Sequence, residues 1–282
     1  MEKTLNELTV VQANDFIQQT NWSLDTVPLK LFKALIAAID IKNPPKDNTV
    51  TVSKPELVKL LDTKATNYTY LKHRLRQLIT SVKVEDTEDH EVYTALVSKI
   101  TWEKDNDKVF VTFSPDVMPY LVGLKERFLT YPAANIDHFK SKYGLILYEY
   151  LLSKEKQYHF GNYTMEIDEI RRLTGTEKKY ADFRNFDRVV LKTAADDINS
   201  AGVEILVSYE KVKRSHTVTA INFFVRRRNS FHDDSYDEIT VRPDQLHDID
   251  ALQQQMSKMP GHSAPPKGQT TIDDFIGRKG KA

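Results

Sequence analysis

Residues 180–199 read YADFRNFDRVVLKTAADDIN, and this stretch decides the fold. Its apolar residues recur at the three- and four-residue spacing of an amphipathic helix. We expect one buried face, formed by Phe183, Phe186, Val190, Ala194 and Ile198. Basic residues recur on a different face of the same helix. The stretch therefore predicts a helix that packs one side into a core and presents cations on the other.

The residues on either side of this helix complete a known order of elements. A helical pattern at 146–152 precedes a short strand near 163–167 and a second helix at 167–174, and two strand patterns follow at 203–210 and 219–225. Helix, strand, helix, basic helix and hairpin is the order of a winged helix-turn-helix, whose third helix enters a DNA major groove. We therefore predict an α+β fold.

The first half of the chain repeats this order more weakly. The passage from strand to helix at 52–61 parallels the one at 167–174. The predicted elements are a helix from Ser23 to about Ile39, a strand at 49–52, a helix capped by Ser53, a helix at 67–81 with Leu71, Leu75, Leu78 and Ile79 inward, and strands at 94–102 and 109–113. Residues 1–22 are expected to be a polar lead-in, in which 9–11 could form a short strand or turn, and a further helix is expected at 118–129.

These patterns predict two tandem winged helices followed by a tail. We place the N-terminal winged helix at 1–130, the C-terminal one at 131–228, and an acidic, largely disordered, flexible tail at 229–282. The boundary near 131–134 is expected because a residue that precedes proline leaves the helical region. Proline and glycine at 259–268 indicate a linker within the tail.

The distribution of charge favours a nucleic-acid partner, although the net charge is zero. Seven basic and three acidic residues lie between 171 and 192, and six basic and two acidic lie between 204 and 228. A third basic run, 63–84, contains five Lys or Arg and no acid. A single charge run is usually a solvated surface, but each of these falls on a predicted third helix or wing. The local field, and not the net charge, governs attraction to phosphate.

Several kinds of catalytic site are excluded. The chain has no cysteine, which removes disulfides and thiolate metal sites. It has no His-x-His metal pair for a nicking enzyme and no phosphate-binding Gly-x-x-x-x-Gly-Lys loop. We therefore expect a protein that is not an enzyme and needs no metal or cofactor. No apolar run reaches the length of a membrane span and no signal pattern is present, so we expect a cytoplasmic location without membrane contact.

The candidate DNA-binding residues follow from the two basic helices and their wings. Arg184, Asn185 and Arg188 stand near the start of the second basic helix, where side chains reach base edges; Arg suits guanine and Asn suits adenine. The remaining candidates are expected to hold phosphate or to belong to the first module: Lys178, Lys179, Lys192, Lys211, Lys213, Arg214, Lys72, Arg74 and Arg76.

The stretch from 146 to 225 also resembles a known family, most clearly at 180–199 and more weakly back to Trp22. It is similar to the Rep-type initiators of theta-replicating plasmids, which bind origin direct repeats called iterons. The resemblance implies a replication initiator that binds double-stranded DNA at these repeats as a monomer, helps to open the duplex and recruits a host helicase or initiator. It further implies self-association into a dimer that represses its own promoter. A winged-helix transcriptional repressor without a replication role is the alternative.

Two further features have more than one interpretation. The strands near Leu96, at 100–102 and at 110–113 could form a dimer edge or belong to the core. The tail residues Gln269, Ile272, Phe275 and Ile276 resemble the peptides with which replication proteins bind a sliding clamp. The same apolar residues could instead dock on the protein's own surface.

Overall fold

A computed structural model describes residues 4–59, 67–86, 89–159 and 161–228. The helices are α1 Asn14–Gln19, α2 Thr26–Ala37, α3 Lys54–Lys59, α4 Tyr68–Arg76, α5 Asn135–His138, α6 Lys142–Tyr158, α7 Ile167–Thr174, α8 Phe183–Phe186 and α9 Thr193–Ala201. The strands are β1 Thr9–Ala13, β2 Thr49–Ser53, β3 Ser81–Asp86, β4 Glu91–Ala95, β5 Val97–Trp102, β6 Lys108–Phe113, β7 Phe128–Pro132, β8 Asn162–Glu166, β9 Ile205–Arg214 and β10 Thr217–Arg227. The predicted tail motif, at Gln269, Ile272, Phe275 and Ile276, lies outside the described residues.

The first winged helix follows the predicted order, except that an additional hairpin of β3 and β4 lies between α4 and β5 and the strand predicted at 94–102 is divided between β4 and β5. Strand β2 runs directly into α3, and β2, β6 and β5 form an antiparallel sheet with β6 in the centre. Val109, Val111 and Phe113 alternate along β6 and are buried, so one face of this sheet packs into the core. Leu71, Leu75 and Leu78 are buried as predicted, but Ile79 is 49% exposed because α4 ends at Arg76.

The N-terminal residues are part of the core, so the prediction of a polar lead-in is wrong, although the strand suggested at 9–11 is present as part of β1. Strand β1 pairs antiparallel with β7, from Thr9 opposite Pro132 to Ala13 opposite Phe128. Phe16, Ile17 and Trp22 are buried behind it. The helix α2 begins after Asp25 rather than Ser23.

The helix predicted at 118–129 is also wrong. A single 3-10 turn, Met118–Tyr120, is followed by irregular chain and then by β7. Gly123 and Arg127 both adopt positive φ angles, 68° and 52°, which interrupt a helix. The apolar residues that suggested a helix are still buried, namely Val117, Met118, Leu121 and Leu129, but they reach the core from a loop and a strand.

The second winged helix also follows the predicted order. Strand β8 runs into α7, a long helical stretch follows, and β8, β10 and β9 form an antiparallel sheet. The helix α7 ends at Gly175, whose φ of 62° favours glycine. A Cβ atom at Gly175 would lie 2.8 Å from the Cα of Ser23, so this residue also permits close contact between the two modules.

The two modules are joined by hydrogen bonds between their backbones and side chains. The Trp22 amide donates to the carbonyl of Leu173 at 3.0 Å. Arg172 donates to the carbonyls of Gln18 at 2.8 Å and Gln19 at 2.5 Å, at the end of α1. The described residues therefore form one compact unit. The division at residue 130 stays a prediction.

A buried polar network crosses this unit. The Lys33 amine lies 2.8 Å from a carboxylate oxygen of Glu149, and their side chains are 0% and 1% exposed. Gln12 accepts from Lys33 at 2.8 Å and donates to Glu149 at 2.7 Å, while the Tyr131 hydroxyl donates to Glu149 at 2.5 Å. The network thereby joins β1, α2, β7 and α6. Burial lowers the pKa of the Lys33 amine, against the opposing effect of Glu149, and raises the pKa of Tyr131.

Candidate nucleic-acid interface

The basic helix of the second module is helical throughout residues 183–201 but changes pitch in its middle. It consists of α8, a π-helical segment Asp187–Lys192, and α9. Phe186, Val190, Ala194 and Ile198 are buried as predicted, whereas Phe183 is only half-buried. Leu191 is buried as well, because the wider π turn brings an additional residue onto the core face.

The face away from the core presents the predicted cations. The side chains of Arg184, Arg188 and Lys192 are exposed. Arg188 donates to the side-chain oxygen of Asn185 at 2.9 Å, and Lys192 forms an ion pair with Asp196 at 2.8 Å. No described residue pairs with Arg184. Arg188 uses one of the two acceptor positions on the oxygen of Asn185, so this asparagine keeps its amide nitrogen and one acceptor position to offer to a base edge.

The turn between α7 and α8 is held in place by Arg171. Its guanidinium donates to the carbonyls of Thr176 at 3.3 Å, Lys179 at 2.8 Å and Tyr180 at 2.9 Å. It also lies 4.2 Å from the ring centre of Phe186. In the sequence Arg171 is one member of a basic run, and no local pattern predicts these contacts. Arg171 thus fixes a turn on which the side chains of Lys178 and Lys179 are exposed. Neither side-chain amine has a hydrogen-bond partner among the described residues.

The wing of the second module is connected to the basic helix through Asp187. The Tyr209 hydroxyl donates to Asp187 at 2.8 Å, and Lys211 pairs with the same carboxylate at 2.7 Å. Burial and Asp187 both raise the pKa of Tyr209, so its hydroxyl remains a donor. Asp187 is thereby neutralised and does not repel a nearby phosphate. Lys213 and Arg214 are exposed at the hairpin end.

The third helix of the first module presents two of its three predicted cations to solvent. Asn67 caps α4 by accepting from the amide of Tyr70 at 3.0 Å. Lys72 and Arg76 are exposed, whereas Arg74 is half-buried and lies 4.8 Å from the ring centre of Tyr70. Arg74 therefore does not share the outward face of α4.

The wing of the first module depends on Lys54, which sequence reasoning missed. This side chain is buried, and its amine donates to the carbonyls of Glu103 and Asn106. It also lies 4.6 Å from the ring centre of Trp102. Because β6 is the central strand, residues 110–113 cannot form a dimer edge, and Leu96 is buried in the core. Strands β2 and β5 are the two outer strands of the described sheet.

The described residues were also compared with the requirements of a metal site and of a membrane-spanning helix. Within the described ranges, no group of three His, Cys, Asp or Glu side chains could hold a metal ion. None of the described helices is both long and apolar enough to cross a membrane.

Comparison with protein families gives the identity of both modules. Residues 9–152 match the family described as Initiator Replication protein, WH1, and residues 166–225 match Initiator Rep protein, WH2. The chain belongs to the initiator replication protein family. The second match lies within the second winged helix, whereas the first extends through residue 152 and so includes most of α6.

Individual relatives agree with this family. A Replication initiation protein of Escherichia coli is 26% identical over 209 residues, which span 70% of this chain and 63% of that protein. The crystal structure of the Pi initiator protein in complex with iteron DNA is 18% identical to this chain. It covers 79% of this chain and 99% of its own, with a TM-score of 0.63. This likeness shows that the two chains share a fold of tandem winged helices.

Proposed function

We propose that this chain is a plasmid replication initiator that binds direct repeats at an origin in a sequence-specific manner. It acts in the cytoplasm and is not an enzyme. The observation that carries the proposal is the presence of two winged helices in one compact unit, each with exposed cations on its third helix. Membership of the initiator replication protein family supports it.

Within this proposal, the candidate residues have different roles. Arg184, Asn185 and Arg188 read bases from the start of the second recognition helix. Lys178 and Lys179 bind phosphate from the turn that Arg171 holds, and Lys213 and Arg214 do so from the wing. Lys192 and Lys211 contribute less, because each is already paired with an acidic side chain. Lys72 and Arg76 make the corresponding contacts from the first module.

The proposal extends to protein partners. Self-association uses β5, an outer strand of the first module's sheet, and a host helicase or initiator is recruited to the opened origin. The sliding clamp is the proposed partner of the tail motif. Each of these partners is a separate hypothesis, independent of DNA binding.

Footprinting on the DNA that flanks the coding region tests the proposed function. We expect protection of several direct repeats spaced by about two helical turns, roughly 20 base pairs. A single protected inverted repeat would instead indicate the transcriptional repressor. Absence of any protected repeat would reject both.

We expect Arg184→Ala and Arg188→Ala each to weaken binding to a repeat by about 1–3 kcal/mol, with a smaller effect on random DNA. The reason is that these side chains lie where a recognition helix meets base edges. Fluorescence anisotropy with a repeat and a scrambled duplex measures both affinities. Equal losses on the two duplexes would show that these residues hold phosphate.

We expect Lys178→Ala and Lys179→Ala to weaken binding to both duplexes alike. Each should lower the slope of log affinity against log salt by about 1, because each removes one phosphate contact. Lys46→Ala is the matched control, since Lys46 is equally exposed but lies in the loop before β2. A slope unchanged from that of the control would refute the phosphate assignment.

A further inference from the structure

A cleft lies between the N-terminal helices of the chain and the start of α6. Its volume is about 350 Å³, and its walls come from the start of α2, the side of α4 and the start of α6. Asp25, Thr26, Val27, Arg74, Ser141, Lys142 and Tyr143 line it. The cleft therefore brings together two cations, Arg74 of α4 and Lys142 at the start of α6, and one carboxylate, Asp25.

Arg74 brings a donor with no partner to this cleft. Its Nη1 donates to Gln77 at 3.2 Å, and its guanidinium lies over the ring of Tyr70. Its Nε is buried and has no hydrogen-bond partner among the described residues. A buried donor without a partner is costly, so an acceptor in the cleft would stabilise this arrangement.

Lys142 brings a buried cation to the same cleft. Only 6% of the residue is exposed, and its amine makes one long hydrogen bond, 3.5 Å from the carbonyl of Trp22. A lysine amine has three donors, so most of its hydrogen-bonding capacity is unused in this geometry. The backbone amide of Lys142 is separately satisfied by Thr26, at 3.0 Å.

We propose that this cleft binds one phosphate of the DNA backbone, with Lys142 and Arg74 as its cations. The proposal rests on the proposed function, since a protein that reads bases in a duplex also binds the phosphate backbone on either side of them. Lys179, on the turn beside α8, adds positive charge near Lys142. Arg74 is then a phosphate ligand rather than a reader of bases.

The charge of Lys142 gives this contact a pH dependence. Burial, with a smaller effect of Lys179, lowers the pKa of Lys142 to about 8, and Asp25 and Glu177 act in the opposite direction. A bound phosphate favours the charged amine and raises its pKa in the complex. DNA binding then takes up a proton, so affinity should fall as pH rises through 8, by up to about tenfold between pH 7 and 9.

The experiment measures the affinity of the full chain for a repeat and for a random duplex, as a function of salt and pH. Lys142→Met should lower the salt slope by about 1 on both duplexes and flatten the pH profile. Lys142→Arg should keep the wild-type slope but flatten the profile, because arginine stays charged. Lys154→Met is the matched control, since Lys154 is a partly buried lysine of the same helix with a lowered pKa, bonded to Gln18.

The outcomes separate the cleft from the proposed function. If Lys142→Met keeps the wild-type salt slope and pH profile, the phosphate site in the cleft is refuted. Weakened repeat binding by Arg184→Ala in the same experiments would still support the proposed function. Equal affinity of the wild-type chain for repeat and random DNA would refute sequence-specific binding. The salt slope and pH profile on the random duplex would still test whether Lys142 binds a phosphate. If Lys142→Met proves unfolded by circular dichroism, Lys142→Arg decides: an unflattened pH profile would overturn the proposal.

Discussion

Replacing Lys33 with methionine should lower the free energy of unfolding by about 3–5 kcal/mol, because it leaves the carboxylate of Glu149 buried without its ion-pair partner. Tyr131 and Gln12 would still donate to Glu149, but they carry no charge. The change also removes a cation 4.0 Å from the ring centre of Trp22, within the core that joins the modules. Urea denaturation followed by circular dichroism measures the loss.

The double variant Lys33→Met/Glu149→Leu is the control for this prediction. Removing both charges removes the buried carboxylate, so the double variant should be more stable than Lys33→Met alone. A double variant less stable than the single one would contradict this account. It would show that the Gln12 and Tyr131 hydrogen bonds, and not the ion pair, stabilise the junction.

Replacing Phe186 with alanine should lower the free energy of unfolding by about 3–5 kcal/mol, because its ring is fully buried on the core-facing side of the recognition helix. The same ring packs against the Arg171 guanidinium, so the turn that carries Lys178 and Lys179 should loosen as well. Thermal melting and DNA binding at a temperature where the variant remains folded measure the two effects.

Phe186→Leu is the matched control, since it keeps most of the apolar volume and removes the aromatic face. It should be more stable than Phe186→Ala and still bind DNA more weakly than the wild type, through loss of the Arg171 contact. A normal melting temperature for Phe186→Ala together with lost DNA binding would contradict the structural placement of this residue.

The sequence predicted those parts of the fold that depend on local periodicity. The buried positions Phe186, Val190, Ala194 and Ile198 follow helical spacing, and the passage from strand to helix occurs in both modules as predicted. The exposure of Arg184 and Arg188 follows from the same pattern, because a helix with one buried face leaves the other to solvent.

Contacts between distant residues could not be predicted in this way. The pairing of β1 with β7 joins residues more than a hundred positions apart, and alternation within either short strand does not indicate its partner. The same holds for Arg171 and Lys54. In the sequence both resemble solvent-exposed cations, but in the structure each donates hydrogen bonds to backbone carbonyls of a loop. The ion pair of Lys211 with Asp187 joins residues 24 positions apart and could not be predicted. The ion pair of Lys192 with Asp196 has the i,i+4 spacing of helix neighbours, which can be recognised in the sequence.

If the chain binds direct repeats as proposed, the hydrogen bonds of Arg172 and Trp22 have a consequence for the length of a repeat. They tie α7 to the end of α1 and so restrict the separation and relative rotation of the two recognition helices. B-DNA turns by about 34° for each base pair, so one inserted base pair would rotate half of a repeat away from its helix. A repeat can therefore tolerate a single base substitution at the loss of one contact, but a change in its length requires a matching change in the protein.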